Sequence, residues 1–361
     1  MQFVVPGGAV VKRLFTMFMC MVMLSCCFVF PCAAENYPIK RENLRVRDPY
    51  VLAYEGKYYM YGTCLSQGQG YGCVVSEDLE NWSERIQIFT PDENFDGYAD
   101  FWAPECHYYN GSFYLFATYR SKESEKRGTA VFKSDSPTGP FELISDGHIT
   151  PKNTDCIDGT LYVDDDGQPW MFFVNEWTSS PDEVGEMSVV KLSDDLTHFI
   201  SEPKMIFRAR KHIWTKGSVT DGPFVYKTSK GKLIMLWSNM ARSGGYAVGM
   251  AVSDNGRPDG DWLHHPKAFY KKTDTQLDGG HPMIFETFDG QLMVSVHSPN
   301  SYSEELFETA KFIPIEDTGS YIRVAKDTKL ERAGDKITNG FYNVYFFVAK
   351  VLNDVYSLIA G

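Results

Sequence analysis

The sequence predicts an all-β protein, a five-bladed β-propeller with four-stranded antiparallel blades around a central channel. Three observations predict it. A phrase that opens a strand occurs five times, at Arg47-Asp48-Pro49, Ala103-Pro104-Glu105, Asp158-Gly159-Thr160, Asp221-Gly222-Pro223 and Gly280-His281-Pro282. The copies lie roughly 55 to 63 residues apart, in the range of propeller and solenoid repeats. Four copies then reach a turn of serine and aspartate before an aromatic closing strand, at Ser76-Glu77-Asp78, Ser134-Asp135, Ser193-Asp194 and Ser253-Asp254.

In the first copy, Pro49 has no N–H to donate, so it belongs at a strand's first residue or edge. The Glu55-Gly56 turn and the aromatic run after it read as a hairpin return. Asn110-Gly111, Asp166-Gly167, Lys230-Gly231 and Asp289-Gly290 mark the same turn in the later copies. Asp164-Asp165-Asp166-Gly167 is read as part of such a turn, because its spacing is not that of a calcium loop. Phe312 to Ile315 and Tyr321 to Val324 are read as a closing hairpin.

Residues 1–34 have the form of a signal peptide. Lys12-Arg13 are its positive end, Leu14 to Phe30 its apolar stretch, and Cys32-Ala33-Ala34 a small-residue cleavage site. The protein is therefore expected to be exported, to the periplasm or outside the cell. Met23-Leu24-Ser25-Cys26 resembles a bacterial lipobox, and would leave a mature chain lipid-anchored through Cys26. The propeller is expected over residues 35–325, and 326–361 is a tail without an assigned role. Four of the eight cysteines fall in the leader; Cys64 and Cys73 either bridge or remain free thiols. A net charge of −12 with no basic block after the leader argues against a nucleic-acid partner. A monomer acting on a neutral sugar suits this balance.

The first strand of each blade lines the channel, so the strand starts converge. They carry Asp48, Glu105, Asp158, Asp221 and His281. Carboxylates in one pocket suit acid/base cleavage of a glycosidic bond: a base activates water and an acid protonates the leaving oxygen. A third carboxylate raises the acid's pKa by like-charge proximity. Each Asp also suits a plain turn, and the repetition favours chemistry. Trp102 and Trp177 are candidate sugar platforms, and Trp214 a weaker one.

Arg47-Asp48-Pro49, Trp102-Ala103-Pro104, Ile157-Asp158-Gly159, Asp221-Gly222-Pro223-Phe224 and Gly280-His281 together resemble family 43 glycoside hydrolases over about residues 40 to 310. The resemblance implies a five-bladed propeller acting with inversion on terminal α-L-arabinofuranosides of plant-type polysaccharides, with a β-D-xylosidase or an endo-arabinanase on the same fold as the alternative. It also implies that Asp48 is the base, that Asp158 tunes and orients the acid, and that Asp221 occupies the acid position. His281 matches a histidine that helps hold a calcium ion or water cluster in the channel; no other cofactor is expected. The family's acid is mostly Glu, so Asp221 is one methylene short, and Glu176 and Glu105 are the alternative acids. Glu105, Glu176, Trp102, Trp177 and His281 are the expected substrate contacts. A fructan-type family 32 hydrolase shares Arg-Asp-Pro and Glu-Cys phrases, but its nucleophile phrase is missing before Arg47. A non-catalytic glycan-binding propeller is the reading from another class.

Overall fold

Two-residue turns with glycine in second place close the hairpins. Glu55-Gly56 (φ 48° and 80°) and Asn110-Gly111 (46° and 83°) carry the paired positive φ of a type I′ turn, whose twist matches the strands it joins. From such hairpins the computed structural model, which describes residues 37–210, 212–325, 344–352 and 355, builds five four-stranded antiparallel blades. Blade I comprises Arg47–Tyr54, Lys57–Thr63, Tyr71–Ser76 and Ile86–Phe89. Blade II comprises Gly97–Tyr109, Ser112–Ser121, Arg127–Ser134 and Glu142–Leu143, and blade III Cys156–Val163, Pro169–Asn175, Glu186–Lys191 and Lys204–Arg208. Blade IV comprises Asp221–Lys227, Leu233–Met240, Tyr246–Ser253 and Trp262–His264. Blade V comprises Gly280–Glu286, Leu292–Tyr302, Phe307–Asp317 and Ile322–Val324, so the expected closing hairpin supplies its outer pair.

The inner strand of each blade touches that of the next, and blade V's touches blade I's, so the ring closes. No blade strand is shared across that seam. Arg41 Nη1 donates to the Ala310 carbonyl (3.1 Å), Val46 N to Glu308 O (3.1 Å), and Ser295 Oγ to Pro49 O (2.6 Å). Apolar side chains fill the wedges between blades. Tyr61, Tyr71 and Phe132 pack where blades I and II meet, and Phe172, Met235 and Trp237 where III meets IV. Burying each large side chain contributes about 1.5–3 kcal/mol.

Every inner strand breaks register at a shared station, and that of blade II breaks twice more, between Gly97 and Ala99 and between Ala99 and Trp102. The shared breaks fall between Arg47 and Tyr50, Trp102 and Glu105, Ile157 and Thr160, Asp221 and Phe224, and Gly280 and Met283. Each holds one residue in the left-handed region: Asp48 (φ 57°), Ala103 (43°), Asp158 (55°), Gly222 (47°) and His281 (54°). That backbone costs a residue with a Cβ about 1–2 kcal/mol, and Asp tolerates it better than most. The bulge re-aims the side chains beside it. It also corrects the alignment of the five phrases. Asp48, Asp158 and His281 are true equivalents, whereas Asp221 stands one residue before its station and Glu105 two after.

Neighbouring blades lock these stations. The backbone N–H of Ala103, Asp158 and His281 is received by Thr63 Oγ1, Thr118 Oγ1 and Ser238 Oγ (2.8, 3.2 and 2.9 Å), and that of Asp48 faces His297 Nδ1 at 3.3 Å. Each acceptor lies on the second strand of the preceding blade.

Cys64, Cys73, Cys106 and Cys156 are free thiols, the last three buried, so no bridge joins Cys64 to Cys73. The expected leader and lipobox lie outside the described residues. Within the tail, residues 344–352 are helical, a turn the sequence reading did not anticipate, and Lys350 Nζ meets Asp254 Oδ2 of blade IV at 3.2 Å. Among the described residues no helix is long and apolar enough to cross a membrane.

Candidate active site

The bulged strand starts deliver Asp48, Asp158, Asp221 and His281 to one cavity of about 380 Å³. Trp102 and Glu176 line it too, together with Arg45, Arg47, Thr63, Cys64, Ile157 and Glu308. Glu105 and Trp177 are not among its lining residues. Glu105, two positions past its station, is buried, and its Oε2 meets His107 Nε2 at 3.2 Å. Trp177 is 39% exposed, and Trp214 belongs to the core between blades III and IV. A larger cavity, about 550 Å³, lies between the outer strands of blades I and II. It is lined by Phe89, Phe95 and Phe141 with only Asp92 and Glu142 as titratable groups, which is poor equipment for catalysis.

Asp48 is buried, and its carboxylate is fully engaged. Thr63 Oγ1 donates to Oδ2 (2.8 Å), while His281 Nδ1 and His297 Nδ1 stand 3.2 and 3.3 Å from Oδ1. His297 Nδ1 also faces the Asp48 N–H, so it serves one or the other according to tautomer. Burial alone would raise the Asp48 pKa. The charge of His281, the hydrogen bond from His297 and the charge of Arg47 outweigh it and hold the carboxyl far below the usual carboxylate range. Burial pushes His297 down.

Asp158 and Asp221 show the opposite behaviour. Burial pushes Asp158 up to about 7, with the charges of Asp48 and Glu105 adding to it and hydrogen bonds from Asp221 and the Gly222 N–H opposing. Gly222 N donates to Asp158 Oδ2 at 2.9 Å. A side chain at Gly222 would place Cβ 2.7 Å from His281 Cγ, so the glycine is needed for this approach. Asp221 is raised well above its ordinary value by burial, by the charge of Asp158, and by a hydrogen bond in which it is the donor to Asp158. Tyr246 Oη donates to Asp221 Oδ2 at 2.6 Å, and the Tyr246 ring stacks on His297 (5.6 Å, 14°).

The remaining wall comes from blades II and III. Glu176 follows the second strand of blade III, and its Oε2 pairs with Arg127 Nη2 at 2.8 Å. The Arg127 guanidinium lies over the Trp102 ring, 5.1 Å from its centroid, and its Nε reaches Asp155 at 3.4 Å. Burial pushes Glu176 up to about 6; Arg127 opposes this, while Asp221 and Asp155 add to it.

The model for the glycosyl hydrolases of family 43 matches residues 38–313. The chain belongs to that family. A solved structure described as an endo-arabinase from Bacteroides thetaiotaomicron VPI-5482 is 36% identical, with a TM-score of 0.72, covering 80% of this chain and all of that one. An extracellular endo-alpha-(1->5)-L-arabinanase of Bacillus subtilis is 27% identical over 170 residues, which is 45% of this chain and 53% of that protein. An extracellular exo-alpha-(1->5)-L-arabinofuranosidase of Cellvibrio japonicus is 28% identical over 168 residues, 42% of this chain and 45% of that one. The chain thus spans about half the length of these two curated relatives.

In this family 43 chain several site residues carried no usable sequence signal. Thr63, His297 and Tyr246 come from second and third strands, inside ordinary alternating runs. Glu308 sits on the third strand of blade V, its oxygens 3.8 Å from Arg45 and Arg47. Arg47 was legible through its place before Asp48. Asp158, Asp221 and His281 offer ligand atoms within 4.8 Å of one another, the only such group of three among the described residues. One nitrogen and a proton-sharing carboxyl pair fall short of the six to eight oxygens calcium takes. The set suits a hydrated ion rather than a direct cage.

Proposed function

We propose that the chain is an exported enzyme that hydrolyses terminal α-L-arabinofuranosidic bonds of arabinose-containing polysaccharides with inversion. One observation carries this reading: a single cavity holds Asp48 ionised and, beside it, carboxyls whose surroundings keep a proton. Such a split is what a base and an acid at one bond require. A water oxygen attacks the anomeric carbon and gives its proton to Asp48. The glycosidic C–O bond breaks, and its oxygen takes a proton from the blade III–IV wall, where Asp221 and Glu176 stand. Trp102, with a cation over one face, offers the other as a platform for the sugar. Two relatives described as extracellular support export.

Cleavage inside α-1,5-arabinan is a second reading, favoured by the endo-arabinase that is 36% identical over the whole of its length. The test takes the chain from Glu35 onward, an aryl α-L-arabinofuranoside and linear arabinan. Proton NMR should first show the inverted anomer, and a retained product would overturn Asp48 as base. Arabinose as the sole early product supports terminal attack, whereas a ladder of oligosaccharides supports the second reading. Binding without turnover on arabinofuranosides and xylosides would return the chain to a glycan-binding role.

A calcium ion, hydrated and held at His281, would add positive charge at the floor of the pocket. EDTA treatment should then lower both melting temperature and activity, with recovery on adding calcium. Unchanged values in metal-free protein would remove the ion from the site.

A further inference from the structure

We propose that Glu308 and Arg45 form a hydroxyl-recognition pair that seats the terminal sugar beside the base; the inference rests on the arabinofuranosidase reading above. Glu308 reaches the pocket from the third strand of blade V, and Arg45 from the segment that precedes blade I. An isolated bridge between Arg45 and Thr309 holds the two backbones together across the seam, and Val46 N donates to the Glu308 carbonyl at 3.1 Å. Both side chains line the cavity that holds Asp48.

The Glu308 side chain is only 1% exposed, yet its oxygens stand 3.8 Å from Arg45 Nη2 and from Arg47 Nη1, beyond hydrogen-bond reach. Glu308 Oε2 and Arg45 Nε are both buried without a hydrogen-bond partner among the described residues. A purely structural pair of these groups would close to about 2.7–2.9 Å. A buried carboxylate short of donors is costly, so the missing donor comes from the cavity. An acceptor and a donor 3.8 Å apart, each with bonding capacity to spare, match one alcohol oxygen: it donates to the carboxylate and accepts from the guanidinium. Arg47 fixes the place of this pair. It lies 3.8 Å from Glu308 and 3.9 Å from Asp48, and donates to Asn300 Oδ1 at 2.9 Å. The pair therefore shares the Asp48 side of the pocket, where the ring whose anomeric carbon is attacked must lie, whereas Glu176 stands on the wall from blade III. Glu308 and Arg45 select for a sugar that carries a hydroxyl at this point.

The experiment couples each variant to a missing hydroxyl. On an aryl α-L-arabinofuranoside, Glu308→Met and Arg45→Met should each lower kcat/KM by about 10- to 100-fold, the scale of one hydrogen bond to a charged group. Aryl arabinofuranosides lacking the 2-, 3- or 5-hydroxyl then identify the group that is held. The wild type should lose a similar factor on one of them, and on that substrate the variants should lose little more, because the contact is already absent. A role confined to packing, or to Asp48, would give the same loss on all four substrates and would overturn the assignment while the hydrolase reading stands. Variants that match the wild type on the parent substrate would overturn it equally. Should Glu308→Met fail to fold, Arg45→Met, at a side chain 34% exposed, decides alone. If the wild-type chain hydrolyses no arabinofuranoside, the arabinofuranosidase reading falls and takes the assignment with it.

Discussion

Asp48→Asn is expected to lower kcat on every arabinofuranoside by on the order of 10²–10⁴-fold, with KM nearly unchanged. The amide can still receive Thr63 and fill the space, so the pocket keeps its shape. What it cannot do is accept a proton from the attacking water, and that need arises only in the transition state. Good leaving groups should give no relief, which separates this variant from one lacking the acid. Activity within tenfold of the wild type would remove Asp48 from the mechanism. Stability should fall as well, with a definite pH dependence. The folded-state pKa of Asp48 is depressed, so its contribution is present above the unfolded value and disappears as pH falls through the folded one. The variant should therefore melt below the wild type at pH 7, and the gap should close in acid.

Asp158→Asn is expected to separate stability from activity. Asp158 is raised from 3.8 to about 7, so the stability linked to its protonation is full below pH 3.8 and is lost as pH rises through about 7. An amide does not titrate; it can accept from the Gly222 N–H and donate to Asp221. At pH 8 the variant should gain on the order of 1 kcal/mol, or roughly 2–4 °C in Tm for a domain of this size. At pH 4 the gain should vanish. Activity should fall by about 10²-fold, because the Asp221 carboxyl loses the partner that orients it and the pocket floor shifts. Thermal melts at the two pH values, with kcat at neutral pH, decide it. A variant less stable at pH 8 than at pH 4, relative to wild type, would contradict the buried-carboxyl account.

The blade count, the hairpin turns and the identity of Asp48, Asp158, Asp221 and His281 were all legible because they recur. Glycine turns and Ser-Asp markers report local backbone needs, and those survive in each copy. What the phrases concealed was the bulge. A strict two-residue alternation runs straight past an inserted residue, so Glu105 was aligned with Asp48 although its side chain meets His107 and does not line the cavity. Glu176 could be singled out only as a carboxyl near a tryptophan, because its pairing with Arg127 crosses from blade III to blade II. His297 and Thr63 were illegible for a related reason. Each serves a station on the neighbouring blade, and nothing in its own strand marks that duty.

The seam between blades I and V has a consequence for when the site exists. Asp48 enters early in the chain, yet its imidazole partners, His281 and His297, arrive with the last blade. Until blade V is in place the Asp48 carboxylate lacks both imidazoles, and burying a lone charge of that kind is costly. Completion of the circle and maturation of the base are thus one event. Reactivity is withheld until the whole polypeptide is in place, and a chain truncated before blade V would be inert as well as open.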